Sequence, residues 1–251
     1  MTTGDWNRSG PEWDLPKGTP ARVCYVIASL PRTGSTLLAR SLWTTGAAGA
    51  PDEYLNPLQR RRFGRWGLPS LPEYVRHLRQ HRTSANGVFG LKIHFAHLDR
   101  QVLRAGYDLP GLLGPLRWVA VTRVDLVAQA VSLEMARRTG RWWGEQPEPD
   151  PPPGYDRAAL ERRLDEIRHG EIGWERYFAA HGIRPLRLTY EAITEQRERS
   201  IRSVLRHLGV TADVAAVPEP ATVPTRTVAT EAWIERFRGE TGDPPDRRRG
   251  L

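Results

Sequence analysis

The chain has 251 residues, which suits one α/β domain with short appendages. Its single cysteine, Cys24, excludes an internal disulfide framework and fits a reducing cytoplasm, and no apolar run approaches the roughly 20 residues that cross a bilayer. The net charge is +8, and all but two of the 37 basic residues are arginine. They are spread among 29 acidic residues, without zinc-finger spacing or an RNP-like aromatic motif, which points away from nucleic acid.

Residues 1–20 are polar, lack a hydrophobic signal core and read as a flexible leader. The domain is expected over 21–240, with a flexible tail at 241–251. Residues 22–28 (RVCYVIA) are rich in β-branched and aromatic side chains and predict a buried strand. LLARSLWTTG predicts a helix ending at Gly46. Residues 51–70 read as an ordered loop region and 72–81 as a helix. Further strands are expected at 87–93 and 116–122. Val124, Val127, Val131 and Met135 mark one face of a helix over 124–138. Residues 144–154 (GEQPEPDPPPG) form a proline-rich loop. Leu160, Leu164, Ile167, Trp174 and Phe178 predict a long helix, followed by a strand at 184–189 and helices near 190–208. A proline-rich segment at 217–226 leads to a last helix around Trp233. Strands alternating with helices predict a mostly parallel sheet covered on both faces.

The most informative stretch is Ser29-Leu30-Pro31-Arg32-Thr33-Gly34-Ser35-Thr36, between a strand and a helix. Such a turn aims backbone N–H groups and the helix dipole at one point, which suits an anion. Gly34 permits close backbone approach, Ser35 and Thr36 add hydroxyls, and Arg32 adds a cation. The nucleotide-kinase signature G-x-x-x-x-G-K-[ST] is broken: Ser29 replaces its first glycine and Ser35 its lysine. That counts against Mg-ATP and for another phosphorylated donor. A plain strand–helix turn capped by Ser35 or Thr36 is the alternative.

SLPRTGSTLL resembles the 5′-phosphosulfate loop of sulfotransferases that use 3′-phosphoadenosine-5′-phosphosulfate (PAPS), in particular the bacterial trehalose 2-sulfotransferase-like family. GAPDEYLNP, GVFGLKIH, VTRVDLVAQAVS, GWERYF and TEAWIERF follow in the family's order, so the resemblance spans roughly residues 22–240. It implies a P-loop-like three-layer α/β sandwich, a metal-free reaction, a hydroxylated, sugar-containing small-molecule acceptor (a carbohydrate, glycolipid or natural product), release of 3′,5′-diphosphoadenosine, and a homodimer. Arg32, Thr33, Gly34, Ser35 and Thr36 are then expected on the donor's 5′ end.

Arg123, at the end of a predicted strand, and Ser132 are expected at the 3′-phosphate, with Gln129 as a substitute for Ser132. The spacing from Arg123 to Ser132 is one residue longer than in animal cytosolic enzymes. Arg226, in VPTRTVATEAW, is a weaker donor-site candidate. Sulfuryl transfer, like phosphoryl transfer, asks the protein to position groups, stabilise charge and accept the acceptor's proton. Glu53 and His94 compete as that base; the family resemblance favours Glu53 narrowly and leaves His94 as an acceptor ligand or alternate base. Arg32 is also placed among the catalytic groups. Lys92, a lysine in an arginine-using chain, is expected to contact acceptor or sulfate. Asp52 puts a like charge beside Glu53, which tends to raise a carboxyl pKa, although adjacent side chains often point apart. Trp142 and Trp143 suit an acceptor or a dimer interface. The competing functions are a P-loop small-molecule kinase and a non-enzymatic binder of nucleic acid or phosphate.

Overall fold

The structure is a computed structural model that describes residues 11–16, 19–58, 67–68, 70–142, 146–212 and 226–242. Four strands, β1 (Val23–Ser29), β2 (Val88–His94), β3 (Leu116–Thr122) and β4 (Leu186–Thr189), form one sheet in the order β2-β1-β3-β4. Every pairing is parallel. A parallel sheet must be covered on both faces, and β1 and β2 accordingly read as nearly continuous apolar runs.

The period-2 alternation of β1 divides the core in two. Cys24, Val26 and Ala28 join a large cluster on one face, and Tyr25 and Ile27 join a smaller one on the other. The large cluster takes in α2 (Leu71–Arg82), α3 (Phe95–Gln101), α4 (Leu109–Leu113), α5 (Leu126–Thr139), α6 (Arg157–Ala180) and α9 (Val228–Thr241). The smaller cluster takes in α1 (Ser35–Thr44), α7 (Tyr190–Glu195) and α8 (Arg197–His207). This is the expected three-layer sandwich.

The predicted strands and longer helices lie within a few residues of their expected places. Several local expectations change. The helix predicted over 124–138 starts only at Leu126, because Asp125 caps it by accepting from the Ala128 N–H at 2.9 Å. Val124 therefore precedes the helix. The short helices α3 and α4 carry no apolar stripe long enough to be read in advance. Residues 11–16 lie inside the stretch expected to be a free leader, yet they are held. Arg82 donates to the Trp13 carbonyl at 2.6 Å and pairs with Asp14 at 2.9 Å, and Trp13 meets Trp43 edge to face. Trp143, residues 144–145, most of the proline-rich segment at 217–226 and most of the tail lie outside the described residues.

Helix α6 locks onto the carboxyl end of β1. The Trp174 indole donates to the Ser29 carbonyl at 2.9 Å and stacks on Phe178. One turn has no room for a side chain: a Cβ on Gly173 would overlap the Phe95 ring. Gly239 in α9 is the contrast, exposed and with nothing near its missing Cβ. Replacing glycine by alanine inside a helix gains roughly 0.5–1 kcal/mol, whereas overpacking costs about 1–3 kcal/mol. Gly239→Ala is therefore expected to raise the urea midpoint and Gly173→Ala to lower it. A Gly173→Ala protein as stable as wild type would show that Phe95 moves freely and that this contact is slack.

Candidate active site

The carboxyl ends of β1, β2 and β3 open into one cleft of about 880 Å³. It is lined by Arg32, Gly34, Ser35, Thr36, Glu53, Lys92, His94, Arg123, Ser132 and Arg226 among others. Ligands of open α/β sheets collect at this edge because strand ends and helix starts converge there.

The anion cradle is built by the backbone. Gly34 caps α1 in the left-handed region (φ 74°) with no side-chain hydrogen bond at the cap, so neither Ser35 nor Thr36 closes the helix start. That removes the capped-turn alternative. A Cβ on Gly34 would lie 2.7 Å from the Tyr190 ring, so only glycine fits. Thr33 is buried and donates to the Leu30 carbonyl at 2.9 Å, tying the loop to itself. Arg32 holds φ 67°, unusual for a residue with a side chain. Gln129 reaches up from α5 and donates to the Pro31 carbonyl at 2.9 Å, so it supports the loop from beneath.

Two cations crowd one end of the cleft. The Arg32 guanidinium donates to Ser132 Oγ at 2.9 Å and to the Trp142 carbonyl at 2.7 Å. Arg123 lies over the Tyr190 ring at 4.3 Å and donates to the Arg32 carbonyl at 3.4 Å; its Nε is buried with no hydrogen-bond partner among the described residues. Burial, then the charge of Arg123, lowers Arg32 to about 10. Asp125 is not the partner of Arg123: it caps α5 and pairs with Arg238 at 2.8 Å. Arg226, at the cleft edge, is turned to Glu231 and donates to it at 2.6 Å. Arg32 is thus placed with Ser132 and Arg123, apart from the Glu53 group.

At the other end Glu53, Lys92 and His94 meet. Parallel register puts Lys92 beside Ile27 and His94 beside Ser29, on the sheet face that carries α1. Lys92, 2% exposed, donates to Glu53 Oε1 at 2.5 Å and to Thr36 Oγ1 at 2.7 Å. His94 Nε2 lies 3.1 Å from the same carboxylate oxygen, and its Nδ1 lies 3.0 Å from Ser29 Oγ. An ionised Glu53 fixes the proton on Nε2, so Nδ1 accepts from the serine hydroxyl. Asn56 donates to Glu53 Oε2 at 2.9 Å, and the Lys92 N–H donates to the Asp52 carbonyl at 3.0 Å, lacing the loop to β2. Burial on its own pushes the Glu53 carboxyl up, but Lys92 and His94 overcome it and hold the group well below the usual carboxylate range. The like-charge effect falls on Asp52 rather than on Glu53: burial first, with the Glu53 charge adding to it, raises Asp52, whose Oδ1 accepts from the Glu53 N–H at 2.8 Å.

Asn56, Tyr190 and Glu191 were not picked out by sequence, and Ser29 was read only as the start of the loop. Glu191 accepts from the N–H groups of Val124 at 3.2 Å and Asp125 at 3.4 Å, which fixes the turn that carries Arg123. Its only advance signal is its place just after β4, at the same sheet edge.

A cradle for an anion, a carboxylate beside it and a cation joining the two suit transfer of an anionic group to an acceptor. The Stf0 sulphotransferase family profile matches residues 24–240, and the chain belongs to that family. Trehalose 2-sulfotransferase of Mycobacterium tuberculosis (strain Erdman) is 28% identical, aligned over 86% of this chain and 94% of its own length. The enzyme of the same name from Mycolicibacterium smegmatis is also 28% identical, with the same coverage. A sulfotransferase structure from Alicyclobacillus acidocaldarius superposes with a TM-score of 0.48 at 12% identity, over 90% of this chain and 94% of that one. The protein is a sulfotransferase, and the kinase and nucleic-acid readings are not favoured. Among the described residues no helix is long and apolar enough to cross a membrane.

The ion pair makes a stability prediction. Removing one partner of a buried pair costs about 3–5 kcal/mol, because the other charge stays buried alone. Glu53→Ala is expected to lose that much at pH 7, and adding Lys92→Met to recover a substantial part. A carboxylate held low stabilises the fold fully above its unfolded pKa, near 4.3, and that contribution fades as pH falls through the folded value. The gap between wild type and Glu53→Ala should therefore be widest above about pH 5 and narrow below it. Urea unfolding across pH checks both; an additive double variant would show that the pair is not coupled.

Proposed function

We propose that this sulfotransferase takes the sulfuryl group from PAPS and places it on a carbohydrate hydroxyl, with trehalose the first acceptor to test. The observation that carries the reading is Lys92, a single buried ammonium joining the anion cradle at Thr36 to the carboxylate of Glu53. The residues fit the donor: the uncapped start of α1 and Thr36 suit the 5′-phosphosulfate, and Arg32, Arg123 and Ser132 suit the 3′-phosphate. Two half-buried arginines side by side, the Nε of Arg123 without a partner among the described residues, suit a multiply charged anion.

In the proposed reaction the acceptor oxygen bonds to sulfur as the bond from sulfur to the 5′-phosphate oxygen breaks. The electron pair leaves with 3′,5′-diphosphoadenosine, and Glu53 takes the hydroxyl proton. His94 holds the Glu53 carboxylate through Nε2–H, which supports Glu53 as the base and His94 as its positioning partner. Lys92 stabilises the charge that develops between donor and acceptor oxygens.

The experiment is transfer of labelled sulfate from PAPS to trehalose. Arg123→Ala is expected to abolish the preference for PAPS over its 3′-dephospho analogue; unchanged discrimination rejects that role. Glu53→Gln is expected to lower kcat by roughly 10²–10⁴-fold with little change in donor KM. A nearly normal Glu53→Gln beside a nearly dead His94→Asn transfers the base to His94. We also propose a homodimer, on the family resemblance and the half-exposed Trp142, in the cytoplasm, where a lone buried thiol stays reduced. Sedimentation showing only a monomer at micromolar concentration sinks the dimer.

A further inference from the structure

The acceptor-ligand role offered for His94 meets an obstacle. Both of its ring nitrogens are already engaged, Nδ1 with Ser29 Oγ and Nε2 with Glu53 Oε1. Binding an acceptor hydroxyl through either would break a contact that positions the base. A second histidine stands beside it. His97 lies in the first turn of α3, lines the same cleft, and its ring centroid is 5.6 Å from that of His94. Its Nδ1 is buried with no hydrogen-bond partner among the described residues.

That unpartnered nitrogen determines the state of the ring. A buried N–H without an acceptor costs the full desolvation penalty, and a buried imidazolium costs more. The cheaper arrangement leaves Nδ1 as a bare lone pair and carries the proton on Nε2. Burial, then the neighbouring His94, lowers His97 to about 4, with Lys92 and Arg100 pushing the same way and the Glu53 carboxylate opposing. The ring is therefore neutral at working pH, with one fixed N–H donor. Nδ1 is the buried nitrogen of a ring that lines the cleft, which leaves Nε2 as the nitrogen available to it. Phe95, two residues earlier on α3, packs edge to face on Trp174, so the turn that presents His97 is anchored in the core.

Resting on the carbohydrate reading above, we infer that His97 is a specificity-determining residue that donates from Nε2–H to a hydroxyl of the sugar acceptor next to the one being sulfated. Glu53 and His94 handle the reacting hydroxyl, and His97 reads its neighbour. A neutral donor of this kind selects a polyhydroxylated ring over an acceptor with one isolated hydroxyl, because only the former satisfies it. A histidine close to a base but outside the proton transfer predicts a split between acceptor binding and turnover that a merely structural residue would not give.

The test uses labelled PAPS with trehalose and with trehalose analogues lacking the hydroxyl adjacent to the sulfated carbon. His97→Ala is expected to raise the trehalose KM about tenfold, the fold-change that 1.4 kcal/mol represents, with kcat and the PAPS KM within about twofold. His97→Gln, which keeps an N–H donor, is expected to recover part of the loss. On wild type the deoxy analogue should lose a similar factor, and on His97→Ala it should lose nothing further. An unchanged trehalose KM in His97→Ala, or a deoxy penalty that persists in the variant, overturns the inference while leaving the carbohydrate reading intact. A joint fall of kcat and rise of the PAPS KM, unrelieved in His97→Gln, also overturns it and makes His97 structural. Failure of wild type to sulfate trehalose or any other sugar overturns the carbohydrate reading and the inference with it.

Discussion

The site depends on one buried ammonium. Lys92 sits in the edge strand β2 at 2% exposure, where a charge without partners would cost several kcal/mol. It is held by Glu53 Oε1 and Thr36 Oγ1, so it fixes the spacing between the start of α1 and the loop after it. The same loop is laced to β2 by the bond from the Lys92 N–H to the Asp52 carbonyl. Backbone and side chain of one residue thus set where the carboxylate stands. His94, two residues along the same strand face, completes the grip.

The far end of the cleft follows the opposite logic. There Arg32 and Arg123 share a half-buried corner, while Asp125 pairs with Arg238, Arg226 donates to Glu231, and Glu191 accepts from backbone N–H groups. The charge of Arg123 disfavours a second cation at Arg32, and the positive φ of Arg32 adds backbone strain. Binding a multiply charged anion relieves the first of these costs. Tyr190 makes the crowding tolerable: its ring lies against Arg123 and fills the space a side chain at residue 34 would need. Tolerance for crowded cations and the demand for Gly34 are consequences of one aromatic ring.

The strands and the long helix α6 were legible because their signal is local. β1 and β2 are short apolar runs, and Leu160, Leu164, Ile167, Trp174 and Phe178 lie on one helical face, all buried. The cradle was legible because its chemistry is contiguous from Ser29 to Thr36. The remainder was not, because it is assembled across the chain. Asn56 matters only through Glu53, Tyr190 only through Gly34 and Arg123, and Trp174 only through Ser29. Lys92 drew notice as a rare lysine, and its unusual burial explains why arginine did not take its place: a compact ammonium fits between a hydroxyl and a carboxylate where a planar guanidinium fork would not. The start of α5 was misplaced because apolar periodicity counted Val124, whereas the capping carboxylate of Asp125 sets the boundary. The leader reading used polarity alone, which carries no trace of Arg82 waiting beneath Asp14.

A carboxylate bonded to a lysine, a histidine and an asparagine is ionised but a weak base, since its charge is already stabilised. This favours a coupling between the two ends of Lys92. An anion seated at the start of α1 competes with Glu53 for the ammonium. As Lys92 shifts its charge toward that anion, the Glu53 pKa climbs back and the carboxylate becomes better able to take a proton. In the proposed reaction base strength would then rise with a donor in place. A site so arranged would deprotonate water poorly while empty and activate a hydroxyl once loaded, using no moving part larger than one side chain.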